Sequence, residues 1–72
     1  MKKIKKIKIE VNGKFSLIND NFSLLNFINK SKIPLKKVAI ELNKEIVDKN
    51  KLNKIKLKKN DKIEIVHFIG GG

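Results

Sequence analysis

The sequence predicts an α+β domain in which a mixed sheet of four to five strands packs on one helix. Apolar and polar residues alternate on both sides of Asn12-Gly13, the strongest short signal for a β-hairpin. A segment with apolar residues at helical spacing follows, and further alternating segments occupy the second half of the chain. The 72 residues suffice for one domain, 1–72, without a linker.

The first strand is expected to end at Val11. Residues 7–11 alternate β-branched apolar residues with charged ones, and β-branched side chains favour strands. A basic amphipathic helix with Ile4, Ile7 and Val11 on one face is the competing interpretation. Residues 1–3 are expected to be a frayed lead-in.

The second strand is expected at residues 14–18, directly after the turn. Asn12 and Gly13 both tolerate positive φ, which a type I′ turn requires. Phe15 and Leu17 share one phase of this strand.

A helix of two to three turns is expected next. Residues 19–21 form a polar break of N-cap residue types. The helix should end near Ser31, because Pro34 prevents its continuation. Its apolar residues recur at helical spacing and are expected to pack in the core: Phe22, Leu25 and Ile28.

The second half of the chain predicts the remaining strands. Three strands are expected, at 38–42, at 45–47 as a short return strand and at 63–69 as the last one. The segments between them are a turn at 43–44, a polar connection at 48–54 anchored by Leu52, a brief apolar segment at 55–57 and a polar turn at 58–62. A hairpin, one helix and further strands in this order form the β-grasp arrangement.

The composition excludes several classes of function. The chain has no cysteine, so disulfide scaffolds, zinc ribbons and thiolate nucleophiles are ruled out. No apolar run has the length of a membrane span and no signal-peptide pattern is present, so a cytoplasmic protein is expected. Its acidic residues are dispersed, and the single histidine, His67, has no metal or catalytic partner in the sequence. No enzymatic activity is therefore expected.

The net charge of +11 raises the possibility of nucleic-acid binding. All 18 basic residues are Lys, however, and Arg is the residue best suited to bidentate phosphate and guanine contacts. The abundance of Lys, Asn and Ile is also typical of A/T-rich codons. The four Phe residues are too scattered for a base-stacking platform. A solvated basic surface is the favoured interpretation.

The last strand predicts an exposed apolar surface. Ile63 and Ile65 share one face with His67, while Val66 and Phe68 share the other. A sheet packed on one helix has one covered face, so Val66 and Phe68 should lie on the open face as a docking surface. The alternative is that Phe68 folds over the sheet edge and is simply packed.

The glycines at 70–72 have two interpretations. A glycine-rich end is usually disordered. Glycines without Cβ would also allow an extended, flexible tail to enter a narrow channel and present its carboxylate to another enzyme, as a group carrier requires.

Residues 62–72, with their Val-His-Phe-Ile-Gly-Gly-Gly run, resemble the C-terminal signature of the ThiS family, sulfur carriers of thiamin thiazole biosynthesis with a ubiquitin-like fold. The similarity extends to residues 43–47, to the turn at Asn60-Asp61 and, more loosely, to 11–14. Two departures are a longer lysine-rich lead-in and Asn60 in place of a common glycine, and Asn tolerates the left-handed geometry such a turn requires.

The resemblance implies that the carboxylate of Gly72 is adenylated and converted to a thiocarboxylate, with Gly70 and Gly71 as a slender tail. Val66, Phe68 and Ile69 would contact the partners. The implied partners are an E1-like adenylating enzyme (ThiF-type) that consumes ATP, a thiazole synthase (ThiG-type) and a sulfur donor such as a cysteine desulfurase. No cofactor of the carrier itself is implied. A molybdopterin-type sulfur carrier and a basic nucleic-acid-binding module are the alternatives.

Overall fold

The computed structural model describes residues 5–68. Expectations for residues 1–4, for Ile69 and for the glycines at 70–72 lie outside this range. The described part contains, in chain order, β1 (Lys6–Val11), β2 (Lys14–Asn19), α1 (Leu24–Lys30), a 3₁₀ helix (Leu35–Lys37), β3 (Val38–Leu42), β4 (Glu45–Ile46), a second 3₁₀ helix (Lys49–Lys54) and β5 (Lys62–His67).

The five strands form one mixed sheet in the order β2-β1-β5-β3-β4. β5 is the central strand. It runs parallel to β1, with Glu10 opposite Lys62, and antiparallel to β3, with Val38 opposite His67. The mixed sheet packed on a single α-helix confirms the predicted β-grasp fold.

The hairpin has the predicted turn, and the turn sets the register of its strands. Asn12 and Gly13 both have positive φ, 50° and 84°, as a type I′ turn requires. This register places Ile7 opposite Ile18, and both are buried. The phase shared by Phe15 and Leu17 is consequently the exposed one, although it is the more apolar phase of β2.

The helix begins later than predicted. Its N-cap is Ser23, whose Oγ accepts a hydrogen bond from Asn26 N at 3.0 Å, so the cap expected within residues 19–21 is wrong. The backbone just before the helix is engaged elsewhere: Leu57 N donates to Phe22 O at 2.8 Å, and Leu24 N donates to Ile55 O at 2.8 Å.

The end of the helix matches the prediction, since the C-cap is Ser31. The face that α1 buries differs in part from the predicted stripe. Of the three predicted residues only Ile28 is fully buried, while Phe22 and Leu25 are half-buried against the core. The buried residues of the helix are Leu24, Phe27 and Ile28.

The connection at 48–54 is anchored by Leu52 as predicted, with 1% of its surface exposed. Its 3₁₀ helix was not predicted. Asp48 caps this helix by accepting a hydrogen bond from Asn50 N at 2.9 Å. The strands β4 and β5 end at Ile46 and His67, earlier than the expected ends at 47 and 69.

The core lies between one face of the sheet and the layer formed by α1 and the second 3₁₀ helix. Within residues 5–68 no polar or charged residue is buried, so apolar burial dominates the stability of this part. In the same range no helix is long and apolar enough to cross a membrane. The buried residues are Ile7, Ile9, Ile18, Leu24, Phe27, Ile28, Val38, Ile40, Leu52, Leu57 and Ile63.

Candidate functional site

The face of the sheet opposite α1 carries four of the five large apolar residues that are exposed within residues 5–68. Side chains alternate between the two faces along each strand, so the neighbours of buried residues point away from the helix. The large apolar side chains exposed in this range are Phe15, Leu17, Ile46, Val66 and Phe68. The first four lie within strands, in the phase that points away from α1.

Val66 has the orientation predicted for it. Ile63 on the same strand is buried, with 1% of its surface exposed, and Ile65 is half-buried in the same phase. Val66 lies in the opposite phase, 50% exposed, with Ala39 of β3 beside it. This pair forms an apolar surface next to the end of β5. The role of Val66 in partner binding stays a prediction.

Phe68 follows β5 directly and is held by its backbone. Its N–H donates to Lys37 O at 2.9 Å, which continues the pairing with the start of β3. The residue is 57% exposed and does not belong to the core. Lys49 Nζ lies 5.6 Å from the ring centroid and also donates to Leu35 O. Phe68 therefore presents an accessible aromatic surface beside a cation.

Two turn asparagines hold β5 from its two sides. Asn12 N donates to Ile63 O at 2.9 Å, and Asn12 Oδ1 accepts from Ile65 N at 2.7 Å. On the other side Asn43 N donates to Lys62 O at 2.7 Å, and Asn43 Oδ1 accepts from Lys62 N at 2.9 Å. Both asparagines have positive φ, 50° and 51°. The central strand β5 is thereby fixed at both neighbouring turns.

The turn before β5 is fixed as well. Asp61 Oδ2 accepts from Lys58 N at 2.8 Å, and Asp61 Oδ1 accepts from Asn43 Nδ2 at 3.1 Å. Asn60 has a φ of 71° and its N–H donates to Lys8 O at 2.8 Å. Asn60 therefore adopts the left-handed geometry expected of this turn.

Sequence reasoning missed the asparagine side chains as supports of β5. Their signal was present, because Asn12-Gly13 and Asn43-Lys44 are both predicted as turns, but the backbone N–H groups that donate to these side chains are distant in sequence. His67 is exposed and lies opposite Val38. Within residues 5–68 no group of three His, Cys, Asp or Glu residues could hold a metal ion. The sulfur-carrying residue predicted at Gly72 lies outside the described residues.

Comparison with known proteins identifies the family. A sequence model of the ThiS family matches residues 18–72. This chain belongs to the ThiS family. It is 35% identical over 65 residues to the sulfur carrier protein ThiS of Bacillus subtilis (strain 168), a similarity that covers 89% of this chain and 98% of that relative. The resemblance drawn from the sequence is confirmed.

The fold of this ThiS-family chain is also that of a solved relative. The crystal structure of the thiamine biosynthesis protein (ThiS) from Geobacter metallireducens superposes with a TM-score of 0.81 at 26% identity, covering 92% of this chain and 100% of that one. The thiazole synthase of Paramagnetospirillum magneticum (strain ATCC 700264 / AMB-1) is 33% identical over 66 residues. The similarity covers 92% of this chain but only 20% of that protein.

Proposed function

We propose that this chain is a sulfur carrier of thiamin thiazole biosynthesis, and that the α-carboxylate of Gly72 carries the sulfur. The observation that supports it most strongly is the similarity to a sulfur carrier protein ThiS over nearly the whole length of both chains. In this proposal the chain is a substrate of its partner enzymes and not itself a catalyst.

The chemistry begins at a partner that binds ATP. A carboxylate oxygen of Gly72 attacks the α-phosphate, pyrophosphate leaves, and an acyl-adenylate results. A hydrosulfide-equivalent nucleophile then attacks the acyl carbon, AMP leaves, and a carbon–sulfur bond replaces one carbon–oxygen bond. Adenylation is needed because a carboxylate oxygen is a poor leaving group. The product is a thiocarboxylate whose sulfur is nucleophilic and ionised at neutral pH.

The fold supports this role by holding the segment before the tail in a defined place. β5 is the central strand, and the backbone remains paired up to Phe68. A partner that binds Val66 and Phe68 would contact a surface that β1 and β3 hold in place. The residues after Phe68 would then enter the partner from one direction. Binding energy remote from the reacting atom then positions that atom. Gly70 and Gly71 supply a tail without side chains, and Ile69 directs it.

The proposed partners are an E1-like adenylating enzyme of the ThiF type, a sulfur donor such as a cysteine desulfurase, and a thiazole synthase of the ThiG type. The last is supported by two proteins named thiazole synthase, each of which carries a segment similar to this chain in 20% of its own length. A carrier segment in the same polypeptide as a synthase is consistent with direct transfer between them.

Intact mass spectrometry tests the proposed function. The chain is incubated with a ThiF-type enzyme, ATP and a sulfur donor, and the expected product has one carboxylate oxygen replaced by sulfur. Deletion of Gly72 should abolish this mass change, and a Gly72-deleted chain that still gains sulfur would refute the proposal. Transfer to a molybdopterin synthase instead of a thiazole synthase would assign the chain to the alternative pathway.

The partner-contact role of Phe68 has its own test. Phe68→Ala should slow thiocarboxylate formation by about tenfold or more, because an exposed aromatic anchor contributes about 1–2 kcal/mol or more to an interface. Ile46→Ala is the matched control, since Ile46 is also an exposed large apolar residue, 76% exposed, and lies on the short edge strand β4. Equal rates for the two variants and the wild type would show that Phe68 does not contact the adenylating partner.

A further inference from the structure

A second apolar surface lies at one edge of the sheet, two strands away from the strand that carries Val66. Phe15 and Leu17 on the edge strand β2 are 68% and 66% exposed. They point to the uncovered face, where Leu17 lies opposite Lys8 of β1 and Phe15 lies opposite Glu10. No element of residues 5–68 covers them. We call this surface, with the lysines around it, the β2 patch.

Lysines surround the two apolar side chains. A shallow depression of about 460 Å³ is lined by Leu17, Ile7 and Asp20. Its other lining residues are lysines, which belong to β1, to the residue just before β1 and to the turn before β5. A smaller depression of about 220 Å³ lies beside Phe15. The lysines that line the two depressions are Lys5, Lys6, Lys8, Lys58, Lys59 and Lys62.

This arrangement is fixed by the fold. Asn60 N donates to Lys8 O at 2.8 Å, and Glu10 N donates to Asp61 O at 2.9 Å, so the turn that carries Lys58 and Lys59 lies against β1. The acidic residues that line the same depressions are only two, Glu10 and Asp20. The patch is therefore an apolar centre with a strongly positive rim.

From this surface we infer a second docking site that binds an acidic protein segment with apolar anchor residues. Charge complementarity selects acidic side chains for the lysine rim, and the exposed Phe15 and Leu17 select apolar side chains for the centre. A nucleic acid fits less well. Lys8 Nζ lies 4.6 Å from the centroid of the Phe15 ring, so one face of the only aromatic in the patch is occupied by a cation and not free for base stacking.

The β2 patch is separate from the surface at the end of β5. β2 and β5 are separated by β1, which places them about 10 Å apart across the sheet. Phe15 lies opposite Glu10 of β1, and Glu10 lies opposite Lys62 of β5. Val66 lies four residues after Lys62, about 13 Å along β5. The two surfaces therefore do not share residues. The site does not depend on the sulfur chemistry of Gly72.

The test is an NMR titration of the isotope-labelled full chain with a synthetic peptide of Glu residues that carries two Leu residues at positions i and i+2. The expected shift changes map to the β2 patch, and a peptide with Ser in place of both Leu residues should bind about tenfold more weakly. Equal affinity of the two peptides, or shift changes spread over lysines on every face, would overturn the proposal. Tighter binding of a single-stranded oligothymidine to the same residues would overturn it in favour of a nucleic-acid site.

Variants separate the apolar and the charged contributions. Leu17→Ser should weaken peptide binding about tenfold, and Ile46→Ser, at an exposed position on the other sheet edge, should leave it unchanged. Lys58→Glu with Lys59→Glu should abolish binding. The matched control, Lys51→Glu with Lys54→Glu, makes the same change in net charge on the second 3₁₀ helix and should weaken binding only slightly. A loss of the same size in both double variants would reduce the effect to overall charge and refute a defined site.

Discussion

Replacement of Asn12 by glycine isolates one hydrogen bond that fixes the central strand. Asn12 Oδ1 accepts from Ile65 N at 2.7 Å, two residues before His67 and the end of β5. Glycine adopts the positive φ of Asn12 without strain, so the turn should keep its conformation while the acceptor is lost. Ile65 is half-buried, and water can only partly replace the lost partner.

The expected loss of stability from this hydrogen bond is about 1 kcal/mol. Asn60→Gly is the matched control, because Asn60 also has positive φ and its hydrogen bond to Lys8 O uses its backbone N–H. Both variants share the change in backbone freedom of an Asn-to-Gly replacement in left-handed geometry. The difference between them therefore measures the side-chain bond to Ile65.

Urea unfolding gives the two free energies, and a difference of about 1 kcal/mol corresponds to roughly 4–8 °C in melting temperature for a domain of this size. Amide hydrogen exchange supplies a local measurement, since the Ile65 amide should exchange faster in Asn12→Gly and stay unchanged in Asn60→Gly. The reasoning is refuted if the two variants unfold at the same urea concentration and the exchange of Ile65 does not change.

Three further substitutions test the fold. Leu52→Ala should lower the free energy of unfolding by about 3 kcal/mol, because the side chain is 1% exposed and its truncation leaves a cavity. Urea unfolding curves should show this loss as a large part of the ~4–11 kcal/mol typical of 72 residues. Ser23→Ala should lower stability by about 1 kcal/mol through loss of the cap to Asn26 N, and a Ser23→Asp variant of wild-type stability would confirm the cap. Gly13→Ala should lower the free energy of unfolding by about 1–2 kcal/mol. The whole loss should come from the φ of 84°, because a Cβ at this position has no atom within 4 Å. A larger loss in urea unfolding would contradict the open space around Gly13.

The parts of the fold that the sequence predicted well are those decided by neighbouring residues. The turn at Asn12-Gly13 requires positive φ at both positions, and few residue pairs satisfy that requirement as well. The alternation in residues 38–42 and the buried anchor Leu52 were recognised for the same local reason. The fold class followed from the order of these elements.

The parts that the sequence did not predict depend on distant partners. The helix starts at Leu24 because the preceding backbone pairs with residues 55–57, which no local pattern reveals. The local pattern of β2 favours the wrong phase for burial, because Phe15 and Leu17 together are more apolar than Ser16 and Ile18. The pairing with β1 decides it. The support of β5 by Asn12 and Asn43 joins residues 53 and 19 positions apart, so it could be seen only in three dimensions.

The central position of β5 ties the surface at its end to completion of the fold. Within residues 5–68, β5 is the last strand in chain order, yet it alone joins the hairpin to the β3–β4 pair in the sheet. Until residues 62–67 pair with both neighbours, the hairpin and the β3–β4 pair are not joined, and a two-stranded hairpin alone is only marginally stable. Any enzyme that binds the end of β5 together with its neighbour β3 can therefore find that surface only on a fully folded domain. Sheet topology would then make recognition of this surface depend on folding of the whole domain.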